Sequence, residues 1–303
     1  MSDCDAQAAE RRPPSLSTVE FQSAVTQSVA NDSCPTNGCA SDRDRVDVYL
    51  ADPALATGET ALAWLGLLSS TERARYDRFK VEGARREYLT GRALVRTTLS
   101  RHADCSPADW RFEANRYGRP AIAPDQAHAA PGLVFNLSHT RGLVALAIGR
   151  NCDLGVDVEW IDRQGRLADL CTRYFAPSET AFVHAAEDDE LTDRFFTFWT
   201  LKEAYIKARG MGLALPLDGF AYDVSASEPT IRFEPTCPDD PSRWRFFARR
   251  IGASHRLALA MAVAGAGVVS VCFWQARPLV AKPEAFAEPA VRLAAPGAGT
   301  PSA

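Results

Sequence analysis

The sequence predicts an α+β fold built as two similar-sized halves. Three observations carry that expectation. Across residues 46–275, helical stretches and β-rich runs follow the order helix–strands, then helix–strands again. The two longest helical stretches, about 84–100 and 192–209, fall one in each half. No sequence repeat of fixed period is present. The halves divide as 46–150 and 151–275. Residues 1–45, rich in Ser, Asp, Pro, Asn and Cys, are expected to be a disordered extension, and the Ala/Pro/Gly-rich stretch 276–303 a tail.

The folded part opens with a strand over Val46–Leu50. Ser70 is placed to cap a helix over Ser70–Phe79. Ala84–Ser100 reads as a longer helix, with Tyr88, Leu89, Leu94 and Val95 as its apolar stripe and Arg85, Arg86, Arg92 and Arg96 elsewhere. Leu133–Ser138 and Leu143–Ile148 form a strand pair around a turn at His139–Gly142, and Leu154–Trp160 follows as a third strand. Thr192 caps and Gly210 ends a helix over Thr192–Arg209. Strands near Phe220–Val224 and Trp244–Arg249 lead to Leu257–Trp274, an uncharged run about long enough to span a membrane. Gly265 and Gly267 interrupt it between two β-rich runs, so a buried hairpin is expected and no membrane span.

Charge narrows the partners. The net charge of -4 argues against wholesale nucleic-acid binding. Twelve Arg or Lys against six Asp or Glu between Arg73 and Arg119 suggest an anionic ligand, the alternative being a solvated helix face of mixed charge. The eight cysteines form no C-x-x-C pair and stand at no zinc-finger spacing from a His. Scattered single thiols fit a reducing compartment. Met1–Arg12 lacks the apolar core of a signal peptide, so a cytoplasmic location is expected.

Chemistry concentrates in three places. In Gly155-Val156-Asp157-Val158-Glu159, strand alternation puts Asp157 and Glu159 on one face, within reach of one hard cation; a solvated polar face is the alternative. In Phe198–Lys207, helical spacing lines up Trp199, Glu203 and Lys207. Glu203 then reads as a third oxygen ligand or a general base and Lys207 as a phosphate contact, against a surface i,i+4 ion pair. Ser138 and His139 are neighbours on a strand and point to opposite faces. They suit holding a phosphate better than forming a nucleophile–base dyad.

Five segments occur in order: Tyr117-Gly118-Arg119-Pro120, Phe135-Asn136-Leu137-Ser138-His139, Gly155–Glu159, Arg173-Tyr174-Phe175 with Glu179, and Trp199–Ala208 followed by Gly210–Leu213. Together they resemble the surfactin-synthetase-activating type of 4′-phosphopantetheinyl transferase over about residues 65–265. The resemblance implies two α+β halves related by a pseudo-twofold, with coenzyme A in the cleft between them. It implies transfer of phosphopantetheine to a serine of an acyl or peptidyl carrier protein, with release of 3′,5′-ADP; a chain of two halves can form the cleft alone, so a monomer is expected. It further implies that Asp157, Glu159 and Glu203 hold Mg²⁺ (or Mn²⁺), that Ser138 and His139 meet the 3′-phosphate, and that Arg119 lies near the nucleotide. Glu203 would serve as base and Lys207 would steady the departing 3′,5′-ADP. Arg75 and Arg86, with Arg92 as a rival, are the candidate adenine-nucleotide contacts. This sequence has Arg119 where the family has lysine, and an arginine fork has a different shape.

Three rival readings are weaker, among them a noncatalytic coenzyme A or carrier-protein binding module, against which the presence of all three carboxylates and Lys207 argues. Arg209-Gly210-Met211-Gly212-Leu213-Ala214 matches the loose R-x-x-G-x-A pattern of N-acetyltransferases, but it closes a helix instead of opening one. A metal-dependent nuclease built on the same acids commonly has a lysine two residues after a carboxylate, where Glu159 is followed by Trp160-Ile161.

Overall fold

A computed structural model of the chain describes residues 45–161, 167–263, 268–280, 283–285 and 291–293. The expected N-terminal extension, apart from Arg45, lies outside the described residues, as do Gly265 and Gly267.

The two halves repeat one topology. The first runs β1 (Arg45–Ala51), α1 (Gly58–Leu65), α2 (Ser70–Tyr76), α3 (Glu82–His102), a small hairpin β2 (Phe112–Ala114) and β3 (Pro120–Ile122), then β4 (Leu133–Thr140) and β5 (Leu143–Arg150). The second runs β6 (Asp153–Trp160), α4 (Leu167–Tyr174), α5 (Pro177–His184), α6 (Asp188–Arg209), a small hairpin β7 (Phe220–Asp223) and β8 (Thr230–Phe233), then β9 (Trp244–Ile251) and β10 (His255–Ala262). In both, the last strand lies between the other two, giving β1–β5–β4 and β6–β10–β9 with antiparallel pairing throughout. The α+β class and the two similar halves are as expected.

The long apolar run does not form a hairpin. β10 already has β6 on one side and β9 on the other, so it has no free edge to offer. The second part, β11 (Val269–Gln275), crosses to the first half and pairs parallel with the open edge of β1. The supposed tail contributes as well: β12 (Glu284–Ala285) and β13 (Val291–Leu293) pair antiparallel with β11. Between β11 and β12, Pro278 O accepts from Trp64 Nε1 at 3.2 Å. Residues 269–275, expected in the second half, and the strands of the supposed tail therefore belong in space to the first sheet.

Strand alternation builds the layers. Val46, Val48 and Leu50 of β1 meet Leu154, Val156 and Val158 of β6 and Leu257, Leu259 and Met261 of β10 in a core between the sheets. The opposite face of the first sheet, with Tyr49, Val144, Leu146 and Ile148, packs on Leu94, Val95 and Leu99 of α3. On the second sheet, Ala258 and Ala260 pack with Phe198, Leu201 and Tyr205 of α6. Each sheet is thus covered on both faces, which explains why β5 is buried along almost its whole length.

Helix ends shift slightly from expectation. Ser69, rather than Ser70, caps α2, accepting from Glu72 N while Glu72 reaches back to Ser69 N. Thr192 lies inside α6, whose N-cap is Glu187, and Gly210 ends that helix with φ at 62°. Arg96 is buried at 1 % exposure, its guanidinium paired with Glu72 at 2.7 Å and donating to Pro107 O and Ala108 O.

Candidate active site

The site grows from the seam between the halves. β4 and β6 lie side by side, and side chains supply the bonds of a ladder: Val156 N donates to Asn136 Oδ1, Val158 N to Ser138 Oγ and Trp160 N to Thr140 Oγ1, at 2.9, 3.3 and 3.1 Å. Alternate residues of β4 face β6, so the polar alternation Asn136, Ser138, Thr140 is the sequence signature of this junction. The separation leaves side-chain depth between the strands, and that depth is where the acids stand.

Helix α6 crosses the outer face of β6 at backbone contact. A Cβ on Gly155 would lie 2.0 Å from Ala204 O and 2.6 Å from Ala208 N, so only glycine admits the helix so close. The next two outward-facing residues are Asp157 and Glu159, and the helix stripe brings a partner to each. Lys207 Nζ donates to Asp157 Oδ1 at 2.6 Å and to Ser138 Oγ at 2.8 Å. Ser138 Oγ in turn donates to Asp157 Oδ1 at 3.0 Å. Trp199 Nε1 donates to Glu159 Oε1 at 3.2 Å. Glu203 stands between these contacts on the same stripe and lines a cavity with Lys207.

Burial and crowding of like charge set the electrostatics. Burial, then the negative charge of Asp157, pushes the Glu159 carboxyl up to about 7, against the Trp199 donor and Lys207. Glu203 is raised for the same reasons, burial first and Asp157 second. Asp157 Oδ2 is buried without a partner among the described residues.

Two cavities flank the seam and meet at Gly118, Pro120 and Leu137. The larger, about 940 Å³, lies in the first half between α2, α3 and the β2–β3 hairpin. Arg75 and Arg92 line it, their guanidinium groups 5.4 and 5.5 Å from the Tyr88 ring centre. His139 lines it too, its Nδ1 3.4 Å from Glu87 Oε2. The smaller, about 250 Å³, is bounded by Tyr117, Arg119, Asn136, Glu203, Lys207 and Gly212.

The structure therefore brings together Asp157, Glu159, Glu203, Lys207 and Ser138, and puts Arg75 and His139 on the adjoining cavity. Ser138 and His139 point to opposite sides of β4 and form no dyad, as strand alternation requires. Three expectations change. Arg86 lies outside the cavity lining on an exposed part of α3, paired with Glu82 at 2.9 Å, because its position on the helix turns it to solvent. Arg119 lines the smaller cavity, and its fork binds backbone: Nη1 donates to Ala208 O at 2.6 Å and Nη2 to Leu154 O at 3.1 Å. Ser138 is buried in the seam, its hydroxyl engaged with Asp157, Lys207 and Val158 N, away from the His139 cavity. Sequence reasoning missed Glu87, one turn before Gly91 on α3, because nothing local links it to His139.

A divalent cation fits the donor set. The carboxylates offer only hard oxygen ligands, and Asp157 Oδ2 has no hydrogen-bond partner among the described residues. Among the described residues no three acidic, His or Cys groups close on a single point. Mg²⁺ does not require that, since it takes one or two carboxylates and completes its octahedron with substrate phosphate oxygens and water.

Similarity to known proteins follows the same residues. The family described as "4'-phosphopantetheinyl transferase superfamily" matches residues 153–261, and that described as "4'-phosphopantetheinyl transferase, N-terminal" matches 56–150. The 4′-phosphopantetheinyl transferase HetI of Nostoc sp. is 33 % identical over 162 residues, 54 % of this chain and 67 % of the relative. A 4′-phosphopantetheinyl transferase of Bacillus subtilis is 32 % identical over 174 residues, 57 % of this chain and 73 % of the relative. The 4′-phosphopantetheinyl transferase Sfp of Bacillus subtilis is 33 % identical over 158 residues, 52 % of this chain and 67 % of the relative.

Proposed function

The chain belongs to the 4′-phosphopantetheinyl transferase superfamily, and from that premise we propose that it transfers phosphopantetheine from coenzyme A to a serine of an apo carrier protein, using the seam between its halves as the active site. The observation that carries the assignment of the site is the Lys207–Asp157 pair where α6 crosses β6, with Glu159 and Glu203 near enough for the Asp157 charge to raise both carboxyls, beside an arginine-lined cavity of about 940 Å³.

The roles follow from position. The large cavity takes the adenosine 3′-phosphate end of coenzyme A, with Arg75, Arg92 and His139 supplying positive or donor groups and Tyr88 a ring face. The smaller cavity takes the diphosphate and the start of the pantetheine arm between Lys207 and Gly212. Asp157, Glu159 and Glu203 would hold Mg²⁺, which when bound neutralises the diphosphate and orients an in-line displacement. The serine Oγ bonds to the phosphorus bearing the pantetheine arm as the anhydride bond to 3′,5′-ADP breaks. Glu203, its carboxyl raised by burial and by Asp157, accepts the serine proton directly or through one water. The Lys207 ammonium, hydrogen-bonded to Asp157, steadies the charge gathering on departing 3′,5′-ADP. Both walls of the cleft come from one chain, which supports action as a monomer. No helix among the described residues is long and apolar enough to cross a membrane, and we place the reaction in the cytoplasm.

The test incubates purified protein with coenzyme A, Mg²⁺ and an apo carrier protein and records the intact mass of the carrier. A gain of one phosphopantetheine group is expected. EDTA abolishes it, as does Glu203→Gln in a protein of unchanged circular dichroism. A carrier that stays apo across peptidyl, polyketide and fatty-acid types sinks the proposal.

A further inference from the structure

We propose that the β2–β3 turn, Asn115–Arg119, is a latch between the halves that fixes the end of the helix bearing Glu203 and Lys207, with Arg119 as its positioning residue. The inference rests on the site assignment above.

The last carbonyls of any helix lack partners within it. At the end of α6, Gly210 N turns back to Ile206 O and Lys207 O, which leaves the carbonyls of Ala208 and Gly210 to be satisfied from outside. The other half of the molecule does this. Arg119 Nη1 donates to Ala208 O at 2.6 Å, and Asn115 Nδ2 donates to Gly210 O at 2.8 Å. A guanidinium there also complements the negative end of the helix dipole. The second arm of the fork, Nη2, donates to Leu154 O on β6 at 3.1 Å. One planar side chain thus holds the helix and the strand whose acids it meets.

The turn is itself built to present these groups. Asn115 Oδ1 accepts from Tyr117 N and Arg119 N at 2.9 and 3.0 Å, and Gly118 adopts φ of 86°. Gly210, also at positive φ, admits the turn closely: a Cβ there would lie 3.0 Å from Arg119 Cδ and 3.3 Å from Asn115 Nδ2. Lysine cannot reproduce this arrangement, because a single ammonium on a flexible stem cannot reach along two fixed directions as a fork does. Lys207 stands one turn before Gly210, so slack at this end moves its Nζ relative to Asp157.

Arg119→Met, Arg119→Lys and Asn115→Asp test the latch in the full chain. Asn115→Asp keeps the acceptor that shapes the turn and removes the donor to Gly210 O. Three readouts are taken: coenzyme A affinity by calorimetry, kcat and KM for transfer, and amide hydrogen exchange of residues 208–212 without ligand. For Arg119→Met we expect kcat to fall about tenfold to a hundredfold, coenzyme A affinity and KM to stay within about twofold, and exchange at 208–212 to quicken about tenfold. Arg119→Lys falls between Met and wild type, and Asn115→Asp shows the same pattern more weakly. A coenzyme A Kd raised about tenfold with kcat kept would make Arg119 a nucleotide contact and overturn the proposal. Unchanged exchange at 208–212 overturns it as well. If wild-type protein transfers nothing, the functional assignment fails, while the exchange measurement still judges the latch alone.

Discussion

Replacing Gly155 by alanine tests how the site is held together. The added Cβ would sit 2.0 Å from Ala204 O and 2.6 Å from Ala208 N, both backbone atoms of α6. Neither can move without the helix. A Cβ contact below 3.0 Å is essentially never seen, so relief from 2.0 Å requires about 1 Å of separation between α6 and β6. That shift pulls Lys207 from Asp157, now 2.6 Å apart, and Trp199 from Glu159, now 3.2 Å apart. Overpacking of this kind costs about 1–3 kcal/mol in stability. Misplacement of reacting groups by 1 Å can cost about a hundredfold in rate. Gly155→Ala is therefore expected to lose about 1–3 kcal/mol in urea unfolding and about a hundredfold in the initial rate of carrier loading. Gly83→Ala is the matched control: it lies in the exposed first turn of α3 with nothing within 4 Å of its added Cβ, and should be neutral or stabilising by up to about 1 kcal/mol. A Gly155→Ala protein that unfolds and turns over like wild type would refute the reasoning, because the close approach of helix and strand would then not control the site.

Three further outcomes are expected. Lys202 and Glu179 are both fully buried and paired at 2.8 Å, and Lys202 also donates to Leu217 O and Phe220 O, so Lys202→Met should cost about 3–5 kcal/mol in guanidinium unfolding by stranding a buried carboxylate. Adding Glu179→Leu should recover part of that loss, and a single variant within 1 kcal/mol of wild type, roughly the value of an exposed pair, would contradict the assignment. In transfer kinetics, Arg75→Ala and Arg92→Ala should each raise the coenzyme A KM about tenfold or more, as losing a hydrogen bond to a charged group does, whereas Arg86→Ala, which removes only an exposed pair with Glu82, should stay within about twofold. The pH dependence of metal-free stability reports on Glu159. Its folded pKa is raised, to about 7, so the protonated form stabilises the fold at acidic pH and that contribution is lost as pH rises from about 4.5 to about 7. Urea unfolding in EDTA should show wild type losing stability across this range relative to Glu159→Gln, and parallel curves would remove the carboxyl from the account.

Much of the site was legible because its signals are local. Alternation along β6 puts Asp157 and Glu159 on the face opposite Val156 and Val158, whatever packs on either side. Helical spacing likewise lines up Trp199, Glu203 and Lys207, and the same periods gave most strands to within a residue or two. The resemblance to a known family joined strand and helix into one centre, which spacing could not do.

Contacts between distant segments were a different matter. Arg86 and Arg92 stand about 120° apart around α3, and which of them faces the cavity is set by the packing of α3 against α1 and the first sheet. Arg119 reads as a nucleotide contact from its motif, yet its fork ends on two carbonyls that the chain supplies 35 and 89 residues later. The run Leu257–Trp274 has the pattern of a hairpin, but β10 is already flanked, and β1 has the open edge. Sequence by itself determined which residues share a face, since the periods of helix and strand are properties of each segment's own backbone. Tertiary structure alone decided which faces meet, because a free strand edge, a bare helix end or a glycine-sized gap exists only once the other segments are in place.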